Sequence, residues 1–320
     1  MERNEFYIQS SNKKNKLRVM IWKPEGPISA ILQISHGMIE HIERYDEFAH
    51  YLTERGFLVV GNDHLAHGKS VAHADELGYF PADDSSKTVV EDLHLLSLHM
   101  KEKYPNTPYF LLGHSMGSFM ARRYLMTFGN ELNGAIIMGT GSQPNILLGF
   151  GQFMIHLISQ FKPMTYRSSF IEKACFSTYN HRFKPQRTKH DWLSQDTAMV
   201  DAYAQDPLCN FTFTLNGYQT LFNTLSFIQS DKNLERIPKD LPIFMVSGKE
   251  DPVGNYGKSV QKIYTHYKNI GIQDISLKLY ENDRHEILNE LDRRQVYSDL
   301  YDWLKEHIDT TSPTSKTASL

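Results

Sequence analysis

Cysteine is nearly absent from this chain, with only Cys175 and Cys209 among 320 residues. Two thiols exclude a disulfide framework and a zinc ribbon, and they suit a reducing compartment. An excess of charge of one sign is also lacking: 34 Lys and Arg stand against 37 Asp and Glu, for a formal net charge of −3. So even a balance gives no electrostatic footprint for nucleic acid, and no nucleic-acid partner is expected. No apolar run approaches the roughly 20 residues that cross a bilayer. The opening Met1-Glu2-Arg3-Asn4-Glu5 lacks the basic and apolar regions of a secretory leader. These absences lead us to expect a soluble, cytoplasmic protein.

What is present is an alternation of apolar strands and helical patterns. Strands are expected at Phe6 to Gln9, Leu17 to Trp22, Ala30 to Ser35, Phe57 to Asn62, Pro108 to Leu112 and Ala135 to Met138. Helices are expected from about Tyr45 to Arg55, closed by Gly56 as C-cap, and from Thr88 to Tyr104. Continuous apolar strands alternating with helices imply an α/β fold with a mostly parallel sheet covered on both faces. The alternation stops near Gln143 and resumes at Leu241. The intervening stretch is rich in aromatics and methionine, and the expected organisation is a core of residues 1–142 and 241–308 with a helical cap, 143–240, over the sheet's carboxyl edge. Asn145 to Phe161 is amphipathic and could touch a lipid surface. The polar stretch 309–320 is expected to be a flexible tail.

The strand Pro108 to Leu112 runs into Gly113-His114-Ser115-Met116-Gly117 and then a helical pattern. A G-x-S-x-G between strand and helix is a nucleophile elbow: the glycines allow a sharp bend and close helix packing, exposing the Ser115 hydroxyl. Serine is a poor nucleophile without a base, which in turn needs an orienting acid. After the strand Pro242 to Val246 comes Glu250-Asp251-Pro252, and after Ile275 to Tyr280 comes Asp283-Arg284-His285. The order Ser115, Asp251, His285 is the α/β-hydrolase order. Glu250, Asp283 and Asp206 compete for the acid role, although a residue two places before His285 cannot easily reach the far ring nitrogen. For the oxyanion, the expected donors are the backbone N–H groups of Met116 and of Met38, in the loop after Ile34-Ser35. His36, His41, Asp63, His64 and His67 form a cluster without metal-site spacing, so no metal and no cofactor are expected.

Several further motifs resemble the α/β-hydrolase superfamily, in particular the monoacylglycerol lipase and lysophospholipase-like group linked to S33 serine aminopeptidases. They are His36-Gly37-Met38-Ile39-Glu40-His41-Ile42-Glu43-Arg44-Tyr45, Asp63-His64-Leu65-Ala66-His67-Gly68-Lys69-Ser70, the elbow, Asp251-Pro252-Val253, and Arg284 to Glu290. Ala66 replaces the usual glycine, and Met38 is bulkier than is common. The resemblance implies a serine hydrolase acting on esters of single-chain lipids, with no cofactor. Alternatives are an aminopeptidase using the carboxylates of Asp196, Asp201 or Asp206 for a substrate ammonium, a short-chain carboxylesterase, and a hydrolase scaffold reused for interaction.

Overall fold

The computed structural model describes residues 1–309. An eight-stranded sheet organises them, in spatial order β1-β2-β4-β3-β5-β6-β7-β8. In chain order the strands are β1 (Glu2–Gln9), β2 (Lys16–Lys23), β3 (Ala30–Ser35), β4 (Phe57–Asn62), β5 (Tyr109–His114), β6 (Gly134–Met138), β7 (Ile243–Gly248) and β8 (Ile275–Tyr280). The pairs β1·β2 and β2·β4 are antiparallel, and every other pair is parallel. Strands β3 to β7 are buried at every position, as continuous apolar runs require when helices cover both faces.

Helices α1 (Asp46–Thr53), α2 (Ser85–Lys103) and α3 (Met116–Phe128) belong to the first half of the sheet. Between β6 and β7 lie α4 (Asn145–Ser159), α5 (Ser169–Phe176), α6 (Thr197–Gln205), α7 (Leu215–Ile228) and the single turn α8 (Asp231–Leu234). Helices α9 (Lys258–Asn269) and α10 (Arg293–Asp309) complete the fold. One apolar core joins α2, α3, α7 and α9 to one face of the sheet; a second packs α1 and α10 on the other, with Phe48, Tyr297 and Trp303 inside. Asp309 closes α10, so the tail expected from that residue onward begins inside a helix and otherwise lies outside the described residues. Among the described residues, no helix is long and apolar enough to cross a membrane.

Candidate active site

Ser115 caps the turn between β5 and α3 at φ 53°, ψ −121°, a conformation that a residue with a Cβ adopts only when its surroundings enforce it. They do so by close packing. At Gly117 a Cβ would run into the carbonyls of Ser35 and His36, and at Gly113 it would lie 2.6 Å from the Ala121 side chain. Helix α3 can therefore press against β3 and β5 only with glycine there. Ser115 N–H donates to the Met138 carbonyl at 3.0 Å, tying the elbow to β6.

After β7, the turn at Asp251 is held from within, since Oδ1 accepts the Val253 N–H at 2.8 Å and Oδ2 accepts the Ser247 hydroxyl at 3.3 Å. Asp251 is fully buried, and its Oδ1 lies 3.0 Å from Nδ1 of His285. That approach is short but poorly aligned for a hydrogen bond, a looseness common before substrate is bound. The other acids weighed from sequence lie elsewhere. Glu250 is half-buried and faces Arg182 at 3.6 Å. Asp283 is buried away from the ring, its carboxyl pushed up to about 8 by burial and by Asp292 and Glu290. Asp206 meets His41 Nε2 at 2.8 Å.

The His285 ring packs between His114, with centroids 4.8 Å apart, and Trp192 from the segment between α5 and α6, at 5.0 Å. Sequence reasoning gave Trp192 no role at the site. Around it the backbone is stitched to the histidine loop: Glu286 N–H donates to Leu193 O at 2.7 Å, and Gln195 N–H to Glu290 Oε2 at 2.9 Å. Arg284 donates to the carbonyls of Asp191 and Ser194.

Beneath the elbow runs a buried chain of charges that was also not assigned from sequence. Arg44 pairs bidentately with Glu286 at 2.6–2.7 Å and reaches Glu40 at 2.7 Å. Glu40 accepts from Tyr45 OH at 2.9 Å and faces His114 Nδ1 at 3.1 Å. Burial alone would raise the Glu40 carboxyl, but the His114 hydrogen bond and the Arg44 charge outweigh it and hold the group well below the usual carboxylate range. Burial disfavours a charged His114, yet the bond to Glu40 and the charges of Glu40 and Glu286 raise it above an ordinary histidine. Glu40 also accepts the Gly37 N–H, so the loop carrying Met38 is anchored on this network. Within that loop Ile39 sits at φ 58°, a rare conformation for a β-branched residue, and its carbonyl accepts from Tyr203 OH of α6 at 2.9 Å.

The histidine cluster serves the backbone. His36 Nδ1 pairs with Gly37 O at 2.8 Å, its Nε2 accepts the His64 N–H at 2.9 Å, and His67 Nδ1 pairs with Leu65 O at 3.1 Å. Ala66, at φ 68°, occupies the left-handed region, which explains why glycine is the easier residue there. The side chains that do bring three potential ligand atoms within 4.8 Å of one another are His41, Asp206 and Cys209. Ser115, His285, Met38 and Met116 share the lining of a cavity of about 1380 Å³, with further walls from α3, α4, α5, α7 and α9 and from the segment between α5 and α6.

The family model for serine aminopeptidases, S33, matches residues 26–292. The rat monoglyceride lipase is 28% identical over 294 residues, covering 90% of this chain and 86% of its own. A longer abhydrolase domain-containing protein of Dictyostelium discoideum is 24% identical over 96% of this chain, which spans 30% of it. Among solved structures, a thermostable carboxyl esterase from Bacillus coagulans in complex with glycerol superposes with a TM-score of 0.89 at 31% identity, covering 96% of this chain and 99% of its own. The chain has the α/β-hydrolase fold and belongs to the serine aminopeptidase S33 family.

Proposed function

We propose that this protein is a serine ester hydrolase acting on single-chain lipid esters, of the monoacylglycerol or lysophospholipid kind. Ser115 attacks the acyl carbonyl, His285 takes the serine proton and passes it to the leaving alcohol, and Asp251 holds the ring's tautomer and stabilises its cation. The tetrahedral oxyanion is met by the N–H groups of Met116 and Met38. Met116 occupies the first position of α3, where a helix start leaves N–H groups without intrahelical partners. Water activated by His285 then releases the acid. Nothing in this cycle calls on a cofactor or metal.

The observation that carries the reading is the strained Ser115 opening, with the His285–Asp251 pair, on a cavity whose far wall is apolar. Leu147, Leu148 and Met154 of α4 face it across Phe222 and Leu225 of α7, a lining suited to an acyl chain. The segment 143–240 acts as the cap. Its α4 also turns Ile146, Phe150, Phe153, Leu157 and, just beyond the helix, Phe161 outward at helical spacing, and this stripe supports transient contact with a membrane or micelle. Two free cysteines support a cytoplasmic setting. The aminopeptidase reading is disfavoured because Asp196 pairs with Arg293, Asp201 with Arg187 and Asp206 with His41, and none of the three lines the cavity.

The test is acid release from dispersed monoacylglycerol, lysophospholipid, a short soluble ester and an aminoacyl amide, by wild type and by Ser115→Ala. Release from monoacylglycerol that vanishes in Ser115→Ala is the expected result. Turnover of the aminoacyl amide alone would overturn the reading.

A further inference from the structure

Arg122 stands on α3 two helical turns beyond Ser115, about 10 Å along the axis. It is 2% exposed, yet its partners are neutral: Nε donates to Tyr267 OH at 3.2 Å, and Nη1 to Gly141 O at 3.0 Å and Thr140 Oγ1 at 3.4 Å. Arg18, equally buried, has three carboxylates against it, and the largely buried Arg44 has two; Arg123, also buried, donates to Ser86 Oγ at 2.7 Å but does not line the catalytic cavity. Arg122 has no carboxylate against it among the described residues. A buried guanidinium without a counter-charge is costly, and here the group lines the catalytic cavity, where an anion could enter to supply one.

The surroundings carry the same sign. Tyr267 belongs to α9, and the face of α9 that lines this end of the cavity bears Lys258, Lys262 and His266 at successive turns. Neither lysine meets a carboxylate among the described residues. The acid at this end, Asp231, is 3.5 Å from His266. The remaining carboxylates in the lining lie elsewhere: Glu40 and Glu286 are bound to Arg44, and Glu172 accepts from Thr212.

We infer that the Arg122–α9 end of the cavity is an anion-binding site, and that it takes the phosphate of a single-chain glycerophosphate lipid whose ester carbonyl rests at Ser115. The inference builds on the ester-hydrolase reading. Six bonds separate the acyl carbon of such a lipid from its phosphorus, a span of roughly 7 Å when extended, and a guanidinium two turns along α3 reaches back over the remainder. Arginine's planar fork suits phosphate oxygens, and the two lysines add mobile charge at the mouth. The acyl chain then runs the other way, under α4.

The same oxygen chemistry is offered by a fatty-acid product and by free phosphate, so the experiment separates them. Ser115→Ala protein is titrated with 1-lauroyl-glycerol 3-phosphate, 1-lauroylglycerol, laurate and inorganic phosphate. The ratio of kcat/KM for the phosphate lipid to that for the neutral lipid is then measured in wild type, Arg122→Gln and Lys258→Ala/Lys262→Ala. Tightest binding of the phosphate lipid is expected, with the ratio falling tenfold or more in both variants and with rising salt. Because the lysines are exposed, the double variant gives a readout even if Arg122→Gln does not fold. An unchanged ratio in the double variant, or binding of laurate or inorganic phosphate as tight as that of the phosphate lipid, overturns the headgroup assignment. If Ser115→Ala binds the phosphate lipid while wild type cleaves no ester at all, the hydrolase reading fails and the anion site stands.

Discussion

Below the cavity, the body of the protein is held by buried charge; above it, α4 turns a row of apolar side chains to solvent. In the body, Glu40, Arg44, Glu286 and His114 satisfy one another and fix the loops that carry Met38 and His285. In α4, Ile146 is 81% exposed and Phe150 and Phe153 exceed half. A satisfied polar network has one arrangement and resists change. An unpartnered apolar stripe can exchange one environment for another at little cost, provided the second is also apolar. On the proposed function, the contrast separates a part that sets geometry from a part that would meet the substrate's own phase, and four changes probe it.

The deepest break is at the acid. Asp251→Asn should keep the fold but present the wrong hydrogen-bonding group to Nδ1 of His285. A loss of about 10⁴-fold in kcat is expected, from the magnitude known for this change in other triads. Hydrolysis of a short ester measures it. Next is Arg44→Met, which strands Glu40 and Glu286 in the interior. Removing one partner of a buried ion pair costs about 3–5 kcal/mol, and denaturant unfolding should show it. Loss of short-ester activity should follow as the Met38 loop loosens.

A milder probe is pH. Burial holds His36 well below the ordinary histidine range, His64 down to about 3 and His67 to about 4. In the unfolded chain these rings titrate near 6.5. Since the folded values are lower, the unfolded state gains protons first. The contribution of these rings is full above about pH 6.5 and is lost as pH falls toward 4 and 3. His67 lies among Phe80, Phe211 and Phe213, so His67→Phe should flatten the fall of Tm between pH 7 and 4.5. An unchanged slope would mean that the acid sensitivity lies in the carboxylates instead.

The body was far more legible in the sequence than the roof. Phe57–Asn62 and Ile275–Tyr280 are strands over the expected residues because an apolar or alternating run bounded by turns leaves little choice. Strand β1 begins at Glu2, earlier than expected, because as an edge strand it tolerates the polar Arg3, Asn4 and Glu5. Helix α1 starts at Asp46, after a 3₁₀ turn over Ile42–Tyr45 whose residues look helical. At the site, the chain order of Ser115, Asp251 and His285 was readable because each follows a strand of the parallel part of the sheet. The Arg44–Glu286 pair was not, since its partners are 242 residues apart. Nor was Trp192, whose place against His285 depends on how an irregular segment folds back. Asp206 looked like an acid in search of a substrate and proved to be the partner of His41.

The smallest expected effect tests the roof itself. Phe153→Ser/Leu157→Ser alters two exposed residues of α4 that are absent from the cavity lining, so the acyl path beneath is left in place. Buried apolar area contributes about 25 cal/mol per Å², so two such side chains entering a lipid surface supply a few kcal/mol of partition energy. Turnover of a short soluble ester should stay within about twofold, because neither residue touches the chemistry. Partition onto phospholipid vesicles, followed by sedimentation, should fall by at least tenfold, and the rate on vesicle-borne monoacylglycerol should fall with it. If the vesicle rate holds while the soluble rate drops, the stripe packs against something the cap needs for its own stability, and the distinction between a rigid floor and a phase-seeking roof gives way.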